Sequence, residues 1–170
     1  MATSTTNYGT TTTITLGAAT TPLASSGTYI AGRESTEINN TTNKFIDAEV
    51  QGFVTTGTTP TVDTYIKLYV WGSHTSLGTA AFDVLDGTDS DETFTSAEIM
   101  NSILTLVKSV KVNASSNQKY HFGQFSIASI FDGVMPQYWG LYLAHDTVAA
   151  LNSTAGNHEF KYTGIKFDSV

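Results

Sequence analysis

Cysteine is absent from this sequence of 170 residues, and charged residues and proline are scarce. Without thiols the chain forms neither disulfides nor thiolate metal sites, so a disulfide-stapled secreted scaffold is excluded and folding in a reducing cytoplasm is favoured. Asp, Glu, Lys and Arg make up 14% of the chain, against about a quarter in ordinary globular domains. Threonine occurs 29 times and supplies much of the polar surface instead. Since Thr is β-branched, this composition favours strands.

Positive charge and long apolar runs are also lacking. A formal net charge of −7 repels a phosphate backbone, so we expect no nucleic acid partner. Residues 1–13 are rich in Thr and Ser and have neither a basic start nor an apolar run, and no stretch of 18 apolar residues follows. We therefore expect no classical export signal and no membrane span.

Two long segments alternate with a period of two, as strands with different environments on their two faces do. In 63–73, one face is aliphatic and the other is mainly aromatic; the first carries Ile66, Leu68 and Val70, and the second Tyr65, Lys67, Tyr69 and Trp71. In 44–56, the first face carries Ile46, Ala48, Val50 and Val54, and the second Phe45, Asp47, Glu49, Gln51 and Phe53. A short link containing Pro60 joins the two.

The remaining patterns predict further strands at 11–16, 28–31, 103–112, 118–127, 138–145 and 157–167, with a bulge near Gly164. Thr95 and Glu98 form a capping box, which predicts one short helix through Asn101. About eight strands without intervening helices indicate an all-β, antiparallel, double-sheet, jelly-roll-like sandwich, with an immunoglobulin-like sandwich as the alternative. We expect a flexible N-terminal arm at 1–13 and a single sandwich domain at 14–170.

The residue types associated with catalysis and metal binding are present without a recognisable spacing. Arg33 and Glu34 lie in a polar loop and are interpreted as a local ion pair. The loop around Asp86, Asp89, Asp91 and Glu92 offers oxygen ligands, but it lacks the order of a helix-loop-helix calcium site, so a solvated loop is favoured. The four histidines are scattered, and Asp47 with Glu49 is a common arrangement on an exposed strand. We expect no catalytic, metal or cofactor site and no enzyme activity.

The predicted aromatic faces carry more information. A monomer rarely leaves that much aromatic area in water. Three explanations stay open: the aromatic residues are core under a covering loop, they form a subunit interface, or they are a platform on which sugars stack. As interface candidates we take five aromatic residues and two loop aspartates, which are Phe45, Phe53, Tyr65, Tyr69, Trp71, Asp86 and Asp89.

The order of several segments resembles a family of small structural proteins of tailed bacteriophages. The resemblance spans about residues 28–162 and lies in 31–36, 56–61, 84–90, 92–96, 138–145 and 155–158, none of which is a catalytic motif. It implies a capsid decoration (cement) protein on the exterior of the virion. It further implies a jelly roll, a homo-oligomer with a trimer favoured, the major capsid protein as partner, and assembly in the bacterial cytoplasm. The alternative is a carbohydrate- or receptor-binding module of a phage fibre or tail.

Overall fold

The computed structural model describes residues 4–17, 22–78, 82–154 and 156–169. Within them, strands and short helices follow the chain in an order that contains no α/β alternation. The elements are β1 (Ser4–Tyr8), β2 (Thr12–Ile14), β3 (Ala31–Glu34), β4 (Ile38–Asn39), α1 (Asn40–Asn43), β5 (Asp47–Thr55), β6 (Tyr65–Ser73), β7 (Asp91–Thr93), α2 (Ala97–Ile103), β8 (Thr105–Lys111), β9 (Lys119–His121), β10 (Phe125–Ser126), α3 (Ile127–Ile130), β11 (Tyr138–His145) and β12 (His158–Ser169).

The strands form two antiparallel sheets. The first, sheet A, has the order β1-β12-β5-β10, with β2 also on β12 and β9 also on β5; the second, sheet B, has the order β7-β3-β11-β6-β8, with β4 also on β11. The pairing is nested when β1 with β2, β3 with β4, and β9 with β10 are each treated as one strand position. The outermost pair is β1/β2 with β12, the next are β3/β4 with β11 and β5 with β9/β10, and the innermost is β6 with β8. This nested pairing is the jelly roll, and the predicted sandwich is confirmed.

The alternation of β6 explains why the sandwich has two cores. Ile66, Leu68 and Val70 are fully buried against sheet A, in the core between the sheets. Tyr69 and Trp71 point to the opposite face of sheet B, where a second apolar cluster lies beneath residues 77–78 and 82–104. That segment, called the cover below, contains β7 and α2 and packs Leu77, Leu85, Phe94, Met100 and Leu104 onto the sheet. Sheet B is therefore apolar on both faces.

The N-terminal residues belong to sheet A. The sequence predicted a flexible arm at 1–13, but β1 pairs with the end of β12 from Ser4↔Ser169 to Tyr8↔Ile165, and β2 pairs with the middle of β12. Residues 1–3 lie outside the described part of the chain. β1 is an edge strand, and its five side chains are exposed. The polar composition that suggested an arm is instead that of an exposed edge.

Several local predictions need correction. Ser96, not Thr95, caps α2, because its hydroxyl accepts a hydrogen bond from the Ile99 N–H. Two single-turn helices, α1 and α3, join the one that was predicted. The β12–β5 register runs without a shift through Gly164, so the predicted bulge is absent there. A Cβ on Gly164 would lie 2.4 Å from the Phe45 ring, so glycine makes room for that side chain.

Candidate functional site

The aromatic face of β6 is covered within the monomer. Trp71 is 0% exposed and Tyr69 is 4% exposed, whereas Tyr65 keeps 37% of its surface. Tyr142 of β11 packs edge-on against Tyr69 and against Phe94 of the cover, with ring centroids 6.2 Å and 5.3 Å apart. Tyr69 and Trp71 are therefore core residues, and their assignment to an interface is corrected. Tyr65 remains at the surface.

The two aromatic interface candidates of the predicted strand at 44–56, Phe45 and Phe53, remain partly exposed. Phe45 is half-buried and lies over Gly164. Phe53 is half-buried on the outer face of sheet A, with its ring centroid 5.6 Å from that of His121. The Lys119 ammonium lies 3.8 Å above the Phe53 ring, in a cation–π arrangement. Phe53 lines an open groove of about 210 Å³ together with Gln51, Gly52, His121, Gly123, Glu159 and Lys161.

Arg33 binds the acidic loop and not its neighbour Glu34. The two are consecutive in β3, so their side chains point to opposite faces of the strand. The Arg33 Nε lies 2.7 Å from Asp89 and its Nη1 lies 2.9 Å from Asp91, and the Asp89 carboxylate also accepts the Gly17 N–H. The bond to Asp89 raises the pKa of Arg33 above its ordinary value. The predicted local ion pair is wrong, and Asp89 is a structural anchor.

Glu34 holds the cover from the other face of β3. Its side chain is fully buried, and its two carboxylate oxygens accept the Asp86 and Gly87 N–H groups, each at 3.0 Å. The pKa of Glu34 is raised to about 7, mainly by burial and also by the nearby charges of Asp86 and Glu92, while the two N–H donors oppose the rise. Carboxylate oxygens of Glu34, Asp86 and Glu92 lie within 4.8 Å of one another. Because both oxygens of Glu34 are occupied by backbone donors, this cluster acts as a loop anchor.

Glu37 adds to the attachment of the cover, and Asp86 orders the loop within it. Glu37 accepts the Leu77 N–H at 2.7 Å and the Ser76 hydroxyl at 2.8 Å. Asp86 accepts both the N–H and the hydroxyl of Thr88, and these bonds lower the pKa of Asp86. The charged side chains of residues 33–37 thus fasten a segment that is 39 to 58 residues away in the sequence.

The other titratable candidates also have structural partners. His145 is fully buried; its Nε2 lies 3.0 Å from the Leu23 carbonyl oxygen, which assigns the proton to Nε2, and burial lowers the pKa of the ring. Asp47 accepts the Ser126 hydroxyl and the Ala128 N–H at the start of α3. Glu49 accepts a bond from the Gln124 amide. Asp47 and Glu49 hold the β10–α3 segment in place, and they do not face each other across a substrate cleft.

Comparison with known proteins adds no assignment, since no family model and no curated protein matches the sequence. No helix among the described residues is long and apolar enough to cross a membrane. The remaining candidates are surfaces.

One such surface lies at the edge of sheet A. Tyr8 is 62% exposed and Phe167 is 60% exposed. Tyr8 lies opposite Ile165, and Phe167 lies opposite Thr6, so the two aromatic rings are diagonal neighbours on one face of the sheet. We call Tyr8, Ile165 and Phe167 the edge patch. Neither terminal segment shows a strong apolar alternation of its own, so the sequence did not predict this patch.

Proposed function

We propose that this chain is a structural protein of a tailed-phage virion, which decorates the capsid exterior and stabilises the shell by bridging neighbouring copies of the major capsid protein. The observation that carries the proposal is the edge patch. Two aromatic side chains stand in water beside the unpaired backbone of β1, and exposed apolar area of this kind marks interaction sites. The order of segments, which resembles that of small structural proteins of tailed bacteriophages, supports the same function.

The use of the charged side chains is in keeping with a structural role. Arg33, Glu34, Glu37 and Asp47 are engaged in attaching loops to the two sheets. A rigid sandwich of this kind contributes shape and buried area to an assembly. Closed cyclic symmetry on the capsid, with a trimer favoured, would place several edge patches on neighbouring capsid subunits at once, and linked contacts bind more tightly than single ones.

Co-sedimentation with empty expanded capsids tests this function. Tyr8→Ser with Phe167→Ser should weaken binding at least about tenfold, because truncating buried aromatic anchors typically costs about 2 kcal/mol or more. Val134→Ser is the control, since Val134 is 71% exposed and lies in the connection between α3 and β11, outside the edge patch. Binding that survives the double substitution unchanged, or that Val134→Ser removes equally well, would contradict the proposal.

A carbohydrate- or receptor-binding function is the second candidate, and the groove at Phe53 favours it. The aromatic platform first considered for it contains Tyr69 and Trp71, which are buried. The groove combines the Phe53 and His121 rings with amide, carboxylate and ammonium groups, which is the mixture that saccharide sites use. Binding on a glycan array that is lost in Phe53→Ala, together with no binding to capsids, would favour this function over decoration.

A further inference from the structure

Charge is segregated along the chain. Residues 68–107 contain six Asp or Glu and neither Lys nor Arg, whereas residues 99–131 contain three Lys and neither Asp nor Glu. The fold carries this separation into space. β7, with the loop before it, and β8 are the two ends of the strand order of sheet B. The acidic and the basic segment therefore lie on opposite edges of the sandwich.

The acidic edge is formed by β7 and the loop before it. Its exposed or half-exposed carboxylates are those of Asp83, Asp86, Asp91 and Glu92. Arg33 is the cation that pairs here, and its guanidinium is shared between Asp89 and Asp91. Because the carboxylates outnumber this single cation, the edge carries a net negative charge.

The basic edge is formed by β8 and the adjoining strand β9. Lys108 reaches across to the β9–β10 connection, since its Nζ lies 3.1 Å from where a Cβ on Gly123 would be. Lys119 and His121 are exposed on β9. Neither Lys108 nor Lys119 pairs with a carboxylate in the part of the chain that the structure describes, while Lys111 binds Asp63 at 2.7 Å. This edge carries unpaired positive charge on a protein whose net charge is −7.

We infer that copies of this chain associate head to tail, with the basic edge of one copy, Lys108 and Lys119, against the acidic edge of the next, at β7 and Asp86. Two acidic edges repel each other, and so do two basic edges, so a two-fold pairing of like edges is disfavoured. A contact between two different surfaces of the same molecule closes into a ring or continues as a filament. The inference does not depend on the capsid, because it concerns the isolated chain in solution.

Sedimentation velocity at two ionic strengths tests the association. The wild type should exceed the mass of a monomer at a protein concentration of about 0.1 mM. Raising the ionic strength from about 0.1 M to about 1 M shortens the Debye length from about 10 Å to about 3 Å, and should reduce the association. Lys108→Glu with Lys119→Glu makes both edges acidic and should weaken association at least about tenfold.

Two further samples make the test specific. Glu92→Lys with Thr93→Lys shifts the charge of the acidic edge by three units, which cancels most of its negative charge, and should also weaken association strongly. An equal mixture of the two double variants should reassociate, because the first variant keeps the acidic edge and the second keeps the basic edge. Lys44→Glu with Lys166→Glu changes the net charge by the same amount as the Lys108 and Lys119 pair, and should leave association within about twofold of the wild type. A monomeric wild type, a control that fails as completely as the edge variant, or a mixture that stays monomeric would each overturn the inference.

Discussion

Replacing Trp71 with alanine tests whether the aromatic face of β6 is core. The side chain is fully buried, and it lies against Gly140, where an added Cβ would be 2.6 Å from the indole ring. A backbone this close leaves the surrounding structure little freedom to collapse into the space. We therefore expect Trp71→Ala to destabilise the protein by about 3–5 kcal/mol, as large-to-small changes at buried aromatic residues do.

The expected loss corresponds to a fall in Tm of about 6–20 °C for a chain of this length. Urea unfolding followed by circular dichroism measures the free energy of unfolding directly. Tyr65→Ala is the matched control on the same strand face, since Tyr65 is 37% exposed; it should cost less than about 1 kcal/mol. The indole N–H of Trp71 has no hydrogen-bond partner among the described residues, so Trp71→Phe removes an unsatisfied donor and should lie within about 1–2 kcal/mol of the wild type. A Trp71→Ala variant with wild-type stability would refute the assignment to the core.

Three further substitutions test the anchors and the close packing. Arg33→Met leaves Asp89 without its cation and should destabilise the protein by about 3 kcal/mol in urea unfolding; a loss below about 1 kcal/mol would show that the pair is not an anchor. The pKa of Glu34 is raised to about 7 in the folded state, so this group contributes stability that is complete below pH 4.5 and is lost as the pH rises through 7. The stability of the wild type relative to Glu34→Gln should therefore fall over that pH range by at most about 3 kcal/mol. A difference that does not vary with pH, or that grows in the other direction, would contradict this. Gly164→Ala should cost about 1–3 kcal/mol, because its Cβ meets the Phe45 ring, and a double-mutant cycle with Phe45→Leu should recover part of the loss; strict additivity would place the strain elsewhere.

The long strands were predictable from the sequence because their burial differs between their two faces. β11 matches its prediction at both ends, and β5 and β6 lie within the predicted segments. Alternation alone recovers such strands, since successive side chains point to opposite environments. The number of strands and the absence of crossover helices then indicated a double-sheet sandwich, whereas the nested order of its strands is established by their pairing.

β3 was misplaced because its partners are remote in sequence. Arg33 and Glu34 are charged, and residues of this type usually indicate a loop or an exposed strand. Both are buried here, because the acidic loop supplies carboxylates to one and N–H donors to the other. No local pattern predicts these contacts with the acidic loop. The two adjacent opposite charges and the excess of carboxylates in the loop are consistent with them.

The aromatic face and the edge patch show the same limit in opposite directions. Periodicity placed Tyr69 and Trp71 correctly on one face of β6, but it did not show that the cover buries that face. The exposed pair Tyr8 and Phe167 arises only when the two ends of the chain meet in sheet A. Whether such a surface is buried or exposed depends on strands and loops that are distant in the sequence, and the pattern within a single strand does not contain that information.

A three-dimensional reconstruction of the purified virion tests the proposed function most directly. The account predicts density for this sandwich on the outside of the shell, with Tyr8 and Phe167 of β1 and β12 facing the major capsid protein. Particles that lack the protein, or that hold it with this edge turned to solvent, would contradict the account.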